Sequence, residues 1–419
     1  MRRPLLMIFI FMIIISFIYT SYSTQRSYNN NKIVIIQGTV LEKREKSKYD
    51  EYKVNSYLVR DYNRRRSIKI GDKIELKGTF KSLDEMEYDD FNYGRYIKSK
   101  GYKGLIYIKS YKKIGESTIY TYIGDFKKYI VNTNRYLYKK NSDFINSIMI
   151  GQKEDLSKEE NNMFSRTGTS HVIAISGLHT GLICGLIAFM IRGINKTYKL
   201  IIMAIIMFLY MAMVGSSPSI IRAITCMIVL YLAIFAERKR DGISTLSLIG
   251  IFFITINPYI IYNVSFQLSF LSTLSIIYFY GYINRSIKIN LISLTLSANI
   301  LILPIMYYNF KGIPIISVIS NIIIVPFLGI IIYLSIINLI LFKINITICK
   351  IVAYFNKVII DTIYYLLEML SDFKFAYIEI ENPNIYFVVI YYIVVFSYMI
   401  YKELKVMKEQ TNELQGYNK

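Results

Sequence analysis

The residues best suited to chemistry lie in one short stretch, which carries both histidines of the chain, His171 and His179. Ser176 and Gly177 lie between them, and an apolar run follows directly. Read as a helix, Ser176 and His179 are three residues apart and share a face, so a hydroxyl and an imidazole would meet. Polar groups are costly in lipid unless they face protein or water. The stretch therefore predicts either a functional site or a packing site at the mouth of a membrane span.

Catalysis by a serine and a histidine also needs an acid that orients the histidine, and no Asp or Glu lies within the apolar segments. The histidines are better suited to hydrogen bonding, to helix packing or to a pH-sensitive contact. Cys184, Cys226 and Cys349 are far apart, and no cluster of residues has the spacing of metal ligands. We expect no enzyme activity, no metal and no cofactor.

More polar residues interrupt the apolar segments further along the chain. Ser219 and Arg222 begin one segment, Gln267 and Ser269 begin another, and Asn321 lies in a third. An arginine in a span needs a partner, water or an anion, although near a helix end it can reach the headgroups. The amide and hydroxyl groups suit weak contact with a passing polyanion or hydrogen bonds between helices. We take these five residues, with the four named at the start, as candidates for lining a path.

The composition predicts which elements must hold these residues. Of the 419 residues, 53% are apolar and only 19% are charged, which indicates a polytopic α-helical membrane protein. Arg2 and Arg3 precede an apolar run, so residues 1–20 are predicted to be an uncleaved transmembrane anchor that begins in the cytoplasm. The other predicted spans are 172–191, 200–214, 219–235, 243–261, 266–280, 289–306, an interrupted region 313–342, and 385–400.

The region before the second span has a different character. Residues 30–112 contain short runs of β-branched and aromatic residues, which predict a small all-β barrel. Residues 117–150 have apolar side chains at helical spacing, so we expect an amphipathic helix on the membrane or beneath the barrel. The basic loops near Arg192 and at 237–240 belong inside, which makes residues 21–165 extracytoplasmic and leaves the side of the polar tail 402–419 open.

Several motifs resemble those of the ComEC family of competence proteins. Residues 171–183 read HVIAISGLHTGLI, and the histidines with the S-G-L-H segment resemble the signature of that family. Residues 216–223 and 265–270 are similar to its S-P-S-x-x-R-A and F-Q-L-S-F motifs, and residues 71–78 resemble a strand of its OB-fold domain. The resemblance covers about residues 32–400. It implies an OB-like outer domain at 30–112 and a competence transmembrane domain at 160–401.

The resemblance also implies a function: a membrane channel component that moves single-stranded DNA across the cytoplasmic membrane during natural transformation. Its partners would be single-stranded DNA, the lipid bilayer, a cytoplasmic DNA motor, an outer DNA receptor and a second copy of the chain. The net charge of +21 fits attraction to phosphate, as it also fits anionic lipid and basic inner loops. Rings and cations of the outer domain suit a single-strand platform: Arg60, Arg64, Arg65, Arg66, Tyr93 and Arg95.

The resemblance has one departure. Many members of the family continue into a metallo-β-lactamase-like domain, where this sequence has only the tail 402–419, so we expect no nuclease activity. Two other functions stay open at this point. A membrane scaffold or small-solute transporter would use the basic domain to meet envelope polymers or lipid, and an intramembrane hydrolase is disfavoured because the acidic partner is missing.

Overall fold

The computed structural model describes residues 4–22, 31–46, 48–64, 67–88, 91–215, 217–235 and 241–417. The elements of the first region are α1 (Pro4–Tyr22), β1 (Ile33–Glu45), β2 (Asp50–Val54), β3 (Tyr57–Asp61), β4 (Asp72–Lys81), β5 (Glu87–Tyr88), β6 (Phe91–Asn92), α2 (Tyr93–Ser99) and β7 (Gly104–Glu116).

Five of these strands form a closed barrel in the order β1-β2-β3-β7-β4, in which β4 also pairs with β1. The β3–β7 pair is parallel, and the other pairs are antiparallel. Alternate side chains point inward, as the pleat of a strand requires, and Val40, Tyr52, Leu76 and Ile106 are almost completely buried in the barrel. The structure shows a small closed barrel, and the assignment of this barrel to the OB type stays a prediction.

The second region is helical. Its elements are α3 (Thr118–Tyr138), α4 (Ser142–Ile150), α5 (Lys158–Arg166), α6 (Ser170–Ile173), α7 (Gly177–Met190), α8 (Lys196–Val214), α9 (Pro218–Phe235), α10 (Gly242–Ile256), α11 (Val264–Ile287), α12 (Asn290–Asn309), β8 (Gly312–Pro314), α13 (Ser317–Ile344), α14 (Ile346–Ser371), β9 (Tyr377–Glu379) and α15 (Ile385–Tyr417).

In the part of the chain that the structure describes, six helices are long and apolar enough to cross a membrane: α1, α8, α11, α12, α13 and α15. Three shorter apolar helices lie among them: α7, α10 and the described apolar part of α9. The prediction of a polytopic helical membrane protein is therefore confirmed.

Three helical segments differ from the sequence-based expectation. The predicted span 172–191 is broken at Ala174 and Ser176, so α6 and α7 are separate helices. Segment 117–150 divides into α3 and α4, and α4 is buried rather than lying on a surface. The predicted span 243–261 ends as a helix at Ile256, and a short 3-10 helix, Pro258–Tyr262, follows it. For the interrupted region 313–342, which the prolines left open between one tilted helix and two broken ones, the structure has one continuous helix, α13, which runs through Pro326.

A polar joint connects the barrel to the helices. The side-chain amide of Asn257 donates to the carbonyl of Lys98 at the end of α2, at 2.9 Å, and Asn263 contacts Ser99. Arg95 stacks on the ring of Tyr262, with 4.6 Å from the guanidinium carbon to the ring centre. These contacts occupy the last carbonyls of α2, which have no partner within the helix. They fix the barrel to the segment that begins α11.

The anchor helix α1 belongs to the same joint. Ser16 donates to the carbonyl of Pro258 at 2.5 Å, and the hydroxyls of Thr20 and Tyr262 lie 3.0 Å apart. Phe9 packs directly over Gly250 of α10, where a Cβ atom would come within 2.2 Å of the ring. The glycine is needed for this close approach, and α1 is an integral part of the helical region.

Candidate functional site

The S-G-L-H segment forms a capped helix start. Ser176 precedes α7 in an extended conformation, and its hydroxyl accepts a hydrogen bond from the backbone of Leu178 at 3.3 Å. Nδ1 of His179 lies 3.0 Å from the Ser176 hydroxyl and 3.3 Å from the Ser176 backbone nitrogen. The two side chains therefore stabilise the first turn of α7 together, in the manner of a capping box.

His179 is buried, and its second ring nitrogen is unusual. Nε2 makes no hydrogen bond to any described residue. Because Nδ1 accepts from the Ser176 backbone, the ring carries its proton on Nε2 when it is neutral. No described carboxylate contacts the ring, and the contacts that Ser176 and His179 make with each other and with Leu178 are those of a helix cap.

The start of α7 lies against Arg222 of α9. A Cβ atom at Gly177 would come within 3.2 Å of Nη2 of Arg222, so glycine provides the room in which the guanidinium lies. Gly181 and Gly185 follow Gly177 at intervals of four residues on α7, and neither has an atom within 4 Å of the Cβ position. Of the three, only Gly177 makes a close approach to a neighbouring helix.

Arg222 is held by hydroxyl groups of α11. Its Nε donates to Ser269 Oγ at 2.6 Å, and Nη1 donates to Thr273 Oγ1 at 2.7 Å. Thr273 in turn donates to the carbonyl of Ser269 at 2.9 Å. The rigid, planar guanidinium is therefore held through two of its three nitrogens, and the third, Nη2, faces the start of α7. We name the set of Gly177, Arg222, Ser269 and Thr273 the Arg222 cluster.

No described carboxylate forms an ion pair with Arg222, so its positive charge is balanced by neutral hydroxyls alone. A charge in such a place normally meets a partner, water or an anion. The adjacent helix start adds partial positive charge from its backbone N–H groups. A guanidinium whose Nη2 donates to no described residue, beside a helix start, is chemically suited to hold one oxygen-rich anion, such as a phosphate group.

The other candidates of the helical region lie apart from the Arg222 cluster. Gln267 donates to the carbonyl of Ile261 at 2.8 Å and so supports the start of α11. Asn321 is buried on α13, and its side-chain oxygen has no partner among the described residues. His171 is exposed on α6, and Ser219 is half-buried in the first turn of α9.

The predicted DNA-binding residues of the barrel have partners within the chain. Arg60 donates to Glu51 at 3.2 Å and to the Tyr93 hydroxyl, and its guanidinium lies 4.8 Å from the centre of the Tyr49 ring. Burial opposes the charge of Arg60, but its neighbours Tyr93, Tyr49 and Glu51 outweigh burial and raise its pKa. The charge of Arg60 is therefore balanced by partners in the barrel region itself.

Two further outer arginines also contact the chain itself. Arg95 lies in the joint with Tyr262, and Arg64 donates to the carbonyl of Lys46 at 2.9 Å. Arg65 and Arg66 lie outside the described residues. The described residues hold no group of three or more His, Cys, Asp or Glu side chains placed to bind a metal ion.

Sequence reasoning missed one residue of the cluster and one surface of the barrel. Thr273 lies four residues after Ser269, and this helical spacing could have identified it. Lys73 and Lys77 on β4 and Lys112 on β7 are exposed on neighbouring strands. Their alternation with the buried residues Ile74 and Leu76 was the available signal.

The fold and the site define a polytopic helical membrane protein with a small barrel joined to one end of its helices. The sequence model of the family described as Competence protein matches residues 148–405, which is more than half of the chain. The chain therefore belongs to the Competence protein family, and the resemblance found in the sequence is confirmed.

The chain is also similar to curated proteins. It is 30% identical to ComE operon protein 3 of Bacillus subtilis over 269 residues, which are 62% of this chain and 34% of the relative. It is 26% identical to Recombination protein 2 of Haemophilus influenzae over 150 residues, which are 34% of this chain and 19% of the relative. The matches cover about a third or less of these relatives. No solved structure matches the chain.

Proposed function

We propose that the chain is part of a membrane channel that passes single-stranded DNA across the cytoplasmic membrane during DNA uptake, without catalytic chemistry of its own. Membership of the Competence protein family supports a role in uptake. The observation that carries the finer proposal is Arg222, a guanidinium between helices whose described partners are two neutral hydroxyls and no carboxylate.

The chemistry of the Arg222 cluster suits a moving polyanion. A charge-assisted bond from Nη2 draws a phosphate in, and a single contact is weak enough to release it, as conduction requires. The hydroxyls of Ser269 and Thr273 hold the side chain in place without neutralising it. Each phosphate of a strand would occupy the cluster in turn.

The barrel is the part of the chain that would meet DNA first. In this proposal it lies outside the cell, as expected for residues 21–165, and the exposed lysines Lys73, Lys77 and Lys112 attract the strand. Binding that depends on such cations weakens steeply with salt. A separate outer receptor would deliver the DNA, and a separate cytoplasmic motor would pull it.

A complementation experiment tests the proposal. In a naturally transformable host, the gene for the chain is deleted, and uptake of labelled DNA into a nuclease-protected form is measured. We expect loss of uptake, restored by the natural chain and reduced about tenfold or more with Arg222→Gln, because a charge-assisted contact is removed. Arg222→Lys should be intermediate, since lysine lacks the planar fork.

Arg192→Gln is the matched control, because Arg192 lies beyond the opposite end of α7 and stacks on Phe189. It should leave uptake unchanged at equal protein level. Normal uptake without the chain would contradict the channel proposal and favour a scaffold or a small-solute transporter. Loss of uptake on deletion together with normal uptake of Arg222→Gln would retain a role in uptake and remove Arg222 from the path.

A further inference from the structure

A groove lies between the spans at a distance from the Arg222 cluster. Its volume is about 700 Å³, which is within the range of small-molecule sites. α11 and α12 form one wall, the segment from β8 into α13 forms another, and Tyr391 of α15 lies beside them. Its lining is mainly apolar, and four of the helices around it are long and apolar enough to cross a membrane. The groove therefore opens where hydrocarbon chains are the solvent.

Basic side chains lie at one end of the groove. The amine of Lys402 on α15 is 5.7 Å from the ring centre of Tyr282, which lines the groove, and 5.8 Å from that of Tyr398. Arg285 and Lys288 are exposed at the end of α11 beside it. Lys402 forms no ion pair with any described carboxylate. The end of the groove therefore carries positive charge.

The barrel marks the opposite face of the molecule. Asn263 caps the start of α11 and contacts Ser99 of the barrel region, whereas Tyr282, Arg285 and Lys288 lie at the other end of α11. A helix of 24 residues is about 36 Å long, so the charged end of the groove lies one membrane thickness from the joint. With the barrel outside, the charged end lies in the cytoplasmic leaflet, where anionic lipids are enriched.

We propose that the groove binds an anionic glycerophospholipid. One acyl chain lies along the apolar wall of α11 and α12, and the phosphate lies beside Lys402 with Arg285 and Lys288 around it. Ser286, which lines the groove, would lie at the depth of the glycerol backbone of the lipid. Basic pockets between spans on the cytoplasmic side are known to hold anionic headgroups. A symmetric contact with a second copy is a poorer fit, because it would bring the same basic residues together.

A lipid competition experiment tests the inference. The full chain is purified in a neutral detergent and incubated with equal amounts of phosphatidylglycerol and phosphatidylcholine of the same acyl composition. Lipid retained after size-exclusion chromatography is measured by mass spectrometry. We expect preferential retention of phosphatidylglycerol and about fivefold weaker retention by Lys402→Gln, the effect of one lysine near an anionic headgroup. Ser286→Trp should fill the groove and reduce retention of both lipids.

Lys196→Gln and Ile201→Trp are the matched controls, because both residues are exposed on α8 and neither lines the groove. Both should retain lipid like the natural chain. Equal retention of the two lipids by the natural chain, or unchanged retention by Lys402→Gln and Ser286→Trp, would overturn the inference. A natural chain that elutes as a dimer without lipid, and as a monomer after Ser286→Trp, would overturn it in favour of a second copy.

Discussion

Two partly buried arginines, Arg60 in the barrel and Arg222 between the helices, have opposite kinds of partner. Arg60 meets a carboxylate, a phenol and an aromatic face, so its charge is balanced within the barrel. Arg222 meets two hydroxyls and the start of a helix, and no described carboxylate pairs with it. The first arrangement is that of a structural ion pair. The second leaves a positive charge with no described counter-charge, as the proposed contact with a phosphate requires.

The two arginines also differ in how well the sequence predicts their role. Arg60 was selected because the outer domain is rich in basic and aromatic residues, whereas Arg222 belongs to a family motif. The cations and rings predicted as a DNA platform, such as Arg60, Tyr93 and Arg95, have partners in the barrel or in the joint. The signature residues Ser176 and His179 cap the start of α7. Gly177, the first residue of that helix, leaves room for Arg222. Partners, rather than residue type, decide which cation is available to a ligand.

The largest expected contrast is in stability. Arg60→Met leaves the partly buried Glu51 without its ion-pair partner, so we expect a loss of about 3 kcal/mol in the free energy of unfolding. Arg222→Met removes an uncompensated charge, and the change should stay within about 1 kcal/mol of zero. The free energy of unfolding of both variants is measured by chemical unfolding of the purified chain, with protease cleavage of the barrel as the readout. Glu51→Gln in the Arg60→Met background should restore part of the loss, and an equal loss in both single variants would contradict the comparison.

The joint should show a smaller effect. Asn257→Ala removes the hydrogen bond to Lys98 at the end of α2 and the cap on the backbone of Tyr259, and we expect a loss of about 1–2 kcal/mol. The barrel should become easier to cleave from the helices with a protease. Asn309→Ala is the control, because Asn309 bonds only to its own helix, through the carbonyl of Ile305. Equal cleavage of the two variants would show that Asn257 does not hold the joint.

The sequence predicts these regions unequally. The runs at 33–40, 73–80 and 104–108 are strands in the structure. Their β-branched and aromatic residues suit a strand, in which alternate side chains point to the core. Residues 53–60 lie within the region of predicted short strands and look like one such run, but they contain the turn between β2 and β3, where Asn55 has a φ of 51°. A positive φ at a single asparagine reverses the chain, and the surrounding composition gives little sign of it.

The site was predictable as a set of residues but not as an arrangement. Gly177, Arg222 and Ser269 could each be identified as polar or small groups in apolar segments. Their meeting depends on contacts of α9 with α7 and α11 between residues 45 and 47 positions apart in the chain, and no local pattern encodes them. The break at Ser176 was also missed, because a serine within an apolar run is compatible with both a helix interior and a helix cap.

Alkaline pH distinguishes the barrel from the helical site. Burial, with the nearby charges of Asp50 and Asp61, raises the pKa of Tyr52 in the barrel. Because the phenol ionises near pH 10 in the unfolded chain and higher in the folded chain, stability is full below pH 10 and falls above it. The limiting slope is about 1.4 kcal/mol per pH unit for one such phenol. Unfolding measured at pH 9 and pH 11 should show a smaller decrease for Tyr52→Phe, and an identical decrease would contradict the assignment.

The smallest change tests the Arg222 cluster most directly. Gly177→Ala places a methyl group 3.2 Å from Nη2 of Arg222, so the guanidinium must move by a few tenths of an ångström and lose part of its alignment with Ser269 and Thr273. We expect DNA uptake to fall about threefold, less than for loss of a whole charge-assisted contact. Uptake of labelled DNA at equal protein level measures it.

Gly181→Ala and Gly185→Ala are matched controls on the same helix, because nothing lies within 4 Å of either Cβ position. Alanine is the better helix former inside a helix, so Gly181→Ala and Gly185→Ala should stabilise α7, and Gly177→Ala, at its first residue, should change helix stability less. None of the three changes weakens α7. Any difference in uptake therefore reports the room beside Arg222 and not the helix itself. Equal uptake in the three variants would mean that the position of the guanidinium does not limit transport, and the contrast between Arg222 and Arg60 would then be one of stability alone.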